Sequence, residues 1–88
     1  MKVESAEARE RIRHRLRRIE GQVRGVQRML DEDRDCQEIV QQLAAVRAAV
    51  QQAGLDVMRV YASQCLKDPG SDDEEMVEYL MKALSKWE

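Results

Sequence analysis

The chain has 88 residues, of which 36% are charged and 3% aromatic, and its formal net charge is −2. A chain of this length forms one small domain with a limited core, and oligomerisation is a common way to bury more surface. No segment has the roughly 20 apolar residues of a membrane span, and no signal-peptide pattern opens the sequence, so we expect a cytoplasmic protein. Two cysteines in that compartment are normally reduced, which favours a ligand or redox role over a structural disulfide.

The first predicted helix runs from about residue 5 to residue 30 and is strongly basic. Residues 1–4 precede it and are expected to be frayed, and Ser5 is the expected N-cap. Between Arg9 and Arg28 there are eight arginines and only two acidic residues. This asymmetry favours nucleic acid as a partner, although a solvated charged face or ion pairs with the acidic third helix would also account for it. The apolar positions recur in steps of four and three, as in a helix with one buried stripe: Ile12, Leu16, Ile19, Val23, Val26 and Leu30.

The arginines follow both edges of this stripe. Gly21 and Gly25 lie between the two basic edges, where a phosphate backbone or a neighbouring subunit can approach. His14 lies among the arginines and is expected to be solvated or to face DNA rather than to bind a metal. The candidates for phosphate contacts lie on the two edges: Arg11, Arg15 and Arg18 on one, Arg13 and Arg17 on the other.

The second predicted helix is the longest, at about residues 35–66, and the two cysteines lie at its ends. Asp35 is the expected N-cap, with Glu38 completing a capping-box-like arrangement. Its stripe has the same alternation of four and three: Ile39, Leu43, Val46, Val50, Ala53, Val57 and Val60. After a stop at residues 67–70, Ser71 and Glu74 predict a capping box for a third helix at about residues 71–87, with an apolar face that ends at Trp87.

The separation of Cys36 and Cys65 predicts a site shared between two chains. At about 1.5 Å rise per residue, 29 residues of continuous helix separate them by roughly 43 Å, whereas a disulfide needs Cα atoms within about 7 Å. If two copies of the helix pair antiparallel and cross near Val50 and Gln51, Cys36 of one lies beside Cys65 of the other. Helices one and two of each chain would then form an antiparallel four-helix bundle.

Two thiols at such a site suit sulfur chemistry or a soft metal ion. One thiolate can attack an electrophilic sulfur and the second can capture the product, whereas Cu(I) would use both thiolates as ligands. The residue four before Cys65 is Tyr61, which is a poor ligand for a soft metal. The alternative is that both cysteines are buried and have no chemical role. No catalytic constellation is present, so we do not expect an enzyme.

The residues RLRRIEGQVRGVQRML (15–30), Cys36, QQLAAVRAAVQQA (41–53) and Cys65 together resemble the copper-sensitive operon repressor (CsoR/RcnR) family. The similarity extends from about Arg11 to Leu84. It implies an all-α, three-helix protomer, an antiparallel dimer and a dimer-of-dimers tetramer. It also implies a bacterial repressor that leaves its operator DNA when an inducer binds between subunits.

The resemblance also bears on the inducer. Copper sensors of the family use Cys, His and Cys; Cys36 and Cys65 match the thiols, but Tyr61 stands in place of the histidine. The residues that support the site in copper sensors, a tyrosine before the first cysteine and a glutamate on helix three, correspond to Asp35 and Tyr79. Two cysteines without the histidine are similar to the branch of CstR-type repressors that senses persulfides. The basic residue of many members near the middle of helix two is absent, so Arg47 and Arg59 become candidates for DNA contact.

We therefore expect, from sequence, a tetrameric repressor with no resident cofactor. Persulfide or polysulfide would link Cys36 and Cys65 of neighbouring subunits and release the DNA. The alternative inducer is Cu(I), bound by the same two cysteines. An alternative hypothesis assigns the chain a different kind of function. In it, the chain is a protein-interaction module whose arginines pair with acids and do not contact DNA.

Overall fold

The computed structural model describes residues 2–67 and 73–86. Three helices follow one another, α1 (Ala6–Asp31), α2 (Cys36–Lys67) and α3 (Asp73–Lys86). Helix α1 packs along α2 and α3 packs on α2, whereas among the described residues α1 does not contact α3. The all-α prediction is thus confirmed, and the observed bounds of α1 and α2 lie within one residue of the predicted ones. The predicted capping residue Ser71 and the terminal Trp87 lie outside the described residues.

The two predicted helix caps that lie among the described residues, Ser5 and Asp35, both form, with one change of partner. The hydroxyl of Ser5 accepts a hydrogen bond from the Ala8 N–H at 3.2 Å. The Asp35 carboxylate accepts one from the Gln37 N–H at 3.1 Å, which caps α2 beside Cys36. The reciprocal half of a capping box does not form, because the Glu38 carboxylate instead pairs with the Arg34 guanidinium, 2.9 Å away. The N-cap prediction for Asp35 is confirmed, and the role given to Glu38 is wrong.

The apolar stripes of α1 and α2 each divide into two sets with a seven-residue period. One set faces the other helix of the hairpin and is buried or half-buried: Ile12, Ile19 and Val26 in α1, and Ile39, Val46, Ala53 and Val60 in α2. The other set is left open, each side chain being 41–59% exposed: Leu16, Val23 and Leu30 in α1, and Leu43, Val50 and Val57 in α2. We call this second set the open stripe. Leu16 and Val57 line one shallow hollow, so the two helices present their halves of the stripe on the same side.

The molecule is one helix thick. Its principal extents are 55 × 28 × 12 Å, and the shortest matches the diameter of a single helix, about 10–12 Å. The radius of gyration is 16.7 Å, whereas a compact domain of this length has about 12 Å. A single layer of helices has no inner space to hide apolar side chains, which is why the open stripe stays exposed. Among the described residues, no helix is both long and apolar enough to cross a membrane.

The segment before α1, which we call the N-terminal arm (residues 2–4), is held in place. The side-chain amide of Gln64 accepts a hydrogen bond from the Glu4 N–H at 3.0 Å and donates one to the Lys2 carbonyl at 2.7 Å. The Arg9 guanidinium donates to the Val3 carbonyl at 2.7 Å. The expectation that residues 1–4 are frayed is therefore wrong for residues 2–4, because Gln64 satisfies their backbone groups.

Candidate functional site

The two thiols lie at opposite ends of an unbroken helix. Cys36 is the first residue of α2 and is exposed, and Cys65 lies near its end and is 4% exposed. Gly54 does not interrupt the helix between them. The two sulfurs of one chain are therefore separated by most of the length of α2, roughly 43 Å of helix, so they cannot meet within one protomer.

The surroundings of Cys65 include two tyrosines from different helices. The ring of Tyr61, one turn before Cys65, stacks on the ring of Tyr79 from α3, with centroids 5.8 Å apart and planes at 28°. Partial burial raises the pKa of the Tyr61 hydroxyl, and nearby Cys65, Glu75 and Tyr79 add to the shift. The N-terminal arm reaches the same place, since Val3 and Tyr61 line one small cavity. Two of the three residues predicted to support the thiol site, Tyr61 and Tyr79, thus lie together near Cys65.

The third predicted supporting residue, Asp35, lies at the other end of α2. Its carboxylate caps the helix beside Cys36, where Asp33 and Glu38 are also exposed. Within one chain, Asp35 is therefore near Cys36 and far from the tyrosine pair. The described residues contain no group of three or more His, Cys, Asp or Glu side chains placed to hold a metal ion. A metal site with both thiols would need a second chain.

The predicted DNA-contact residues differ in what they touch. Arg11, Arg17, Arg18 and Arg47 are exposed. Arg13 is exposed too, although its guanidinium pairs with Glu10 at 2.9 Å. Among the described residues, α1 and α3 do not pack against each other. His14 is exposed, as expected for a residue of a charged surface.

Arg15 is the exception among these arginines. Its Nε lies 2.7 Å from the Asp56 carboxylate of α2, and its side chain is 38% exposed. Asp56 itself is 8% exposed. The sequence analysis did not single out Asp56. The sequence does contain a signal for it. Position 56 is three residues after Ala53 and four before Val60, which places it on the inward side of α2. An acid there needs a cationic partner.

A basic groove of about 410 Å³ lies between the start of α1 and the end of α2. Its cationic side chains are Arg11, Arg59 and Lys67, with Glu4 as the acid on its wall. Arg59, named from sequence as a substitute DNA contact, is therefore on the same groove as Arg11. Lys67 was not predicted as part of this groove, because a lysine at the end of α2 gives no sequence signal that it lies next to α1.

An elongated all-helical protomer with one arginine-rich helix and thiols at both ends of the next has the features of a ligand-responsive DNA-binding regulator rather than an enzyme. The family model described as metal-sensitive transcriptional repressor matches residues 8–86. The copper-sensing transcriptional repressor CsoR of Bacillus subtilis is 36% identical over 85 residues, covering 94% of this chain and 84% of its own length. The chain belongs to the family of metal-sensitive transcriptional repressors, the CsoR/RcnR family.

Solved structures agree with this assignment. The Cu(I)-bound crystal structure of the copper-sensing repressor CsoR from Geobacillus thermodenitrificans superimposes with a TM-score of 0.77 at 32% identity, covering 99% of this chain and 93% of that one. A variant of the formaldehyde-responsive regulator FrmR from Salmonella enterica serovar Typhimurium gives 0.78 at 27% identity, covering 97% and 99%. These similar proteins respond to different inducers, so the fold alone does not specify the inducer of this chain.

Proposed function

We propose that this protein is a bacterial repressor that binds operator DNA in the cytoplasm and is released when an inducer joins Cys36 of one subunit to Cys65 of another. The observation that carries the proposal is the placement of the two thiols at opposite ends of one continuous α2 in a protomer that is one helix thick. The family assignment supports the repressor activity. It leaves open which inducer acts on the thiols.

The open stripe supports the antiparallel dimer. Six aliphatic side chains in heptad spacing lie on one side of the α1–α2 hairpin, and such a contiguous apolar surface normally marks an interface. Pairing two hairpins through these stripes, with the α2 helices crossing near Val50, gives a four-helix bundle. It also brings the exposed Cys36 of each chain to the buried Cys65 of the other. The tetramer, as a dimer of such dimers, is part of the proposal on the strength of the family resemblance.

The basic side of α1 supports DNA binding. Arg11, Arg15 and Arg18 lie along one edge of the helix, and the groove between Arg11 and Arg59 continues this surface onto α2. The other proposed DNA-contact residues are Arg13 and Arg17, on the second edge of α1, and Arg47 of α2. Lys and Arg contacts to phosphates provide most of the affinity of such interfaces, so binding should weaken steeply with salt.

For the inducer, the chain's own residues favour reactive sulfur. The residue one turn before Cys65 is Tyr61, whose ring stacks on Tyr79, and a tyrosine is a poor ligand for a soft metal ion. One thiolate attacks a terminal sulfur of a polysulfide, forming a cysteine persulfide and a polysulfide one sulfur shorter. The thiolate of the other subunit then attacks the cysteine sulfur of the persulfide, forming the interchain disulfide and releasing sulfide. The persulfide's outer sulfur leaves with the electron pair of the broken bond.

Copper is the second candidate, and the comparisons favour it over sulfur. The similar proteins from Bacillus and Geobacillus are copper-sensing repressors. Two thiolates are suitable ligands for Cu(I), which is a soft ion, and the dimer would offer one from each chain. In this alternative the metal is a reversible inducer, Cys36 and Cys65 are its ligands, and no covalent link forms.

Inducer chemistry can be tested on operator fragments selected from genomic DNA by binding to the protein. The reduced protein is treated with inorganic tetrasulfide or with Cu(I), and DNA retention, intact mass and a non-reducing gel are recorded for each. The sulfur proposal expects DNA release together with a covalent dimer that needs both cysteines and that dithiothreitol reverses. Cu(I) should then bind weakly and leave the DNA bound.

Cys36→Ser and Cys65→Ser are the matched controls, since each removes one thiol and keeps a hydrogen-bonding side chain of similar size. Release by stoichiometric Cu(I), reversed by a Cu(I) chelator and without a covalent dimer, would establish the copper alternative instead. If neither reagent changes DNA binding, the thiols are not the sensor. A protein that is not retained on DNA at any salt concentration would contradict the repressor proposal itself.

A further inference from the structure

Asp56 is the one charged residue that the structure buries among those it describes. It lies on the side of α2 that faces α1, between the inward positions Ala53 and Val60. One carboxylate oxygen, Oδ2, is 2.7 Å from Arg15 Nε. The other, Oδ1, is 3.5 Å from the side-chain nitrogen Nε2 of Gln52. The remaining ion pairs given by the described residues are between exposed side chains. Arg15 and Asp56 are therefore unlike the other pairs of this protein.

Stability alone is a poor explanation for this pair. Desolvating two charges costs free energy that their attraction repays only when the geometry is good, and apolar residues often serve equally well at such positions. Here Arg15 Nε and Asp56 Oδ2 are both buried, yet neither makes a well-directed hydrogen bond to another described group. An aliphatic residue at position 56 would pack against α1 without this cost. The position of Asp56 beside Arg15 instead points to a role in the function of that arginine.

The rest of Arg15 remains accessible. Its Nε is buried, but the side chain as a whole is 38% exposed, so solvent reaches other atoms of the same side chain. A guanidinium has five N–H donors in a rigid planar fork, and Nε carries only one of them. The attraction between the Asp56 carboxylate and Nε, 2.7 Å apart, restrains the inner side of the fork and leaves the donors of the terminal nitrogens for a second partner. Arg11 and Arg18, one turn to either side, are exposed on the same edge of α1.

We propose that Asp56 is a positioning residue that holds the Arg15 guanidinium in the orientation in which its terminal nitrogens contact an operator phosphate. This inference rests on the proposed DNA binding by α1. A free arginine side chain must lose rotamer freedom when it binds, whereas a side chain already held by a buried carboxylate has less to lose. Asp56 thereby links the relative placement of α1 and α2 to the geometry of a DNA contact without touching the DNA.

The test is a double-mutant cycle of Arg15→Ala and Asp56→Ala, with operator affinity measured across a series of salt concentrations. Each single variant should weaken binding about five- to ten-fold, and the double variant should be no weaker than Arg15→Ala alone. The slope of log affinity against log salt should fall by about 0.9 in each, because each loses one phosphate contact. Asp56→Asn, which keeps an oxygen for Nε, should recover part of the affinity.

Glu78→Ala is the control, since it removes an exposed carboxylate that pairs with Lys82 on α3, a helix that does not contact α1 among the described residues. It should change operator affinity by less than two-fold. Tighter binding or a steeper salt slope in Asp56→Ala would overturn the proposal and make Asp56 a competitor of the phosphate. An unchanged slope with a lower melting temperature would make it merely structural. If Arg15→Ala itself leaves binding unchanged, Arg15 does not contact the operator, and the positioning role of Asp56 is overturned with it.

Discussion

The two ends of the α1–α2 hairpin differ in how many other parts of the chain pack against α2. At the end that contains the turn, residues 31–38 are all exposed, including Cys36. At the other end, the N-terminal arm, the start of α1 and α3 all meet α2. The buried residues of α2 all lie in its C-terminal half: Ala53, Asp56 and Cys65. We call the two regions the turn end and the closed end.

This difference suggests how one chain can hold two unlike thiols. Cys65 has its environment supplied within the protomer, by α2, α3 and the arm. Cys36 has only the cap of Asp35 and exposed acids near it, so any enclosed environment for Cys36 must come from another chain. Antiparallel pairing would place the bare turn end of each subunit against the closed end of its partner.

Placing a charge in the open stripe should dissociate the assembly. Val50 is 42% exposed in the protomer and lies at the proposed crossing of the two α2 helices. Val50→Asp would bury an unpaired carboxylate there, at a cost of about 4 kcal/mol, or roughly a thousand-fold in dimer affinity. Sedimentation velocity should show a lighter species, and tetrasulfide should no longer form the covalent dimer.

The control for this variant is Gln41→Asp, which adds the same charge at an exposed position on the side of α2 opposite the open stripe. It should leave the dimer intact. If Val50→Asp sediments as the unmodified protein does, the open stripe is not the interface and the cross-subunit thiol site loses its support.

Loosening α3 should expose one thiol and not the other. Met76 is 6% exposed, and α2 is the one helix that α3 contacts among the described residues, so this side chain anchors the closed end. Met76→Ala should weaken the docking of α3 by about 2 kcal/mol, which favours its local opening about thirty-fold. Alkylation of Cys65 by iodoacetamide should accelerate accordingly, while the rate at Cys36 stays within two-fold.

Met81→Ala provides the comparison, because Met81 is on the same helix but is 65% exposed. It should change neither alkylation rate. Equal acceleration at both cysteines in Met76→Ala would mean that α3 stabilises the whole assembly rather than the closed end.

The sequence predicted the helices well because their signals are local. Heptad steps, the caps Ser5 and Asp35 and the absence of apolar residues between the helices all act within a few residues. The same signals could not tell which half of each stripe faces inward, since Ile12 and Leu16 look alike until α2 is placed against α1. The arm was missed because its partner Gln64 is 60 residues away from Glu4. Partners across the hairpin, such as Asp56 for Arg15, depend on the relative position of two helices, which a single sequence does not state.

Releasing the arm should be a smaller, local effect. Gln64→Ala removes both hydrogen bonds that its amide makes to residues 2–4, which contribute about 1–2 kcal/mol together. The Glu4 amide should exchange with solvent about ten-fold faster, as followed by hydrogen exchange, and the melting temperature should change little. Gln51→Ala, a substitution of the same type at an exposed position, should leave the Glu4 exchange unchanged. Unaltered exchange in Gln64→Ala would mean that the arm is held by Arg9 alone.

The smallest expected effect is at the turn end, where Asp33 has a backbone φ of 54°. This left-handed conformation is unfavourable for a residue with a Cβ and natural for glycine after a helix. Asp33→Gly should therefore stabilise the fold by about 0.5 kcal/mol, measured by urea denaturation, since the relief of strain exceeds the greater freedom that glycine gives the unfolded chain. Glu32→Gly is the matched control, with the same loss of charge one residue earlier at a φ of −91°. There glycine relieves no strain, so stability should fall. A loss of stability in both variants would show that the turn end is shaped by contacts of Asp33 with a second chain.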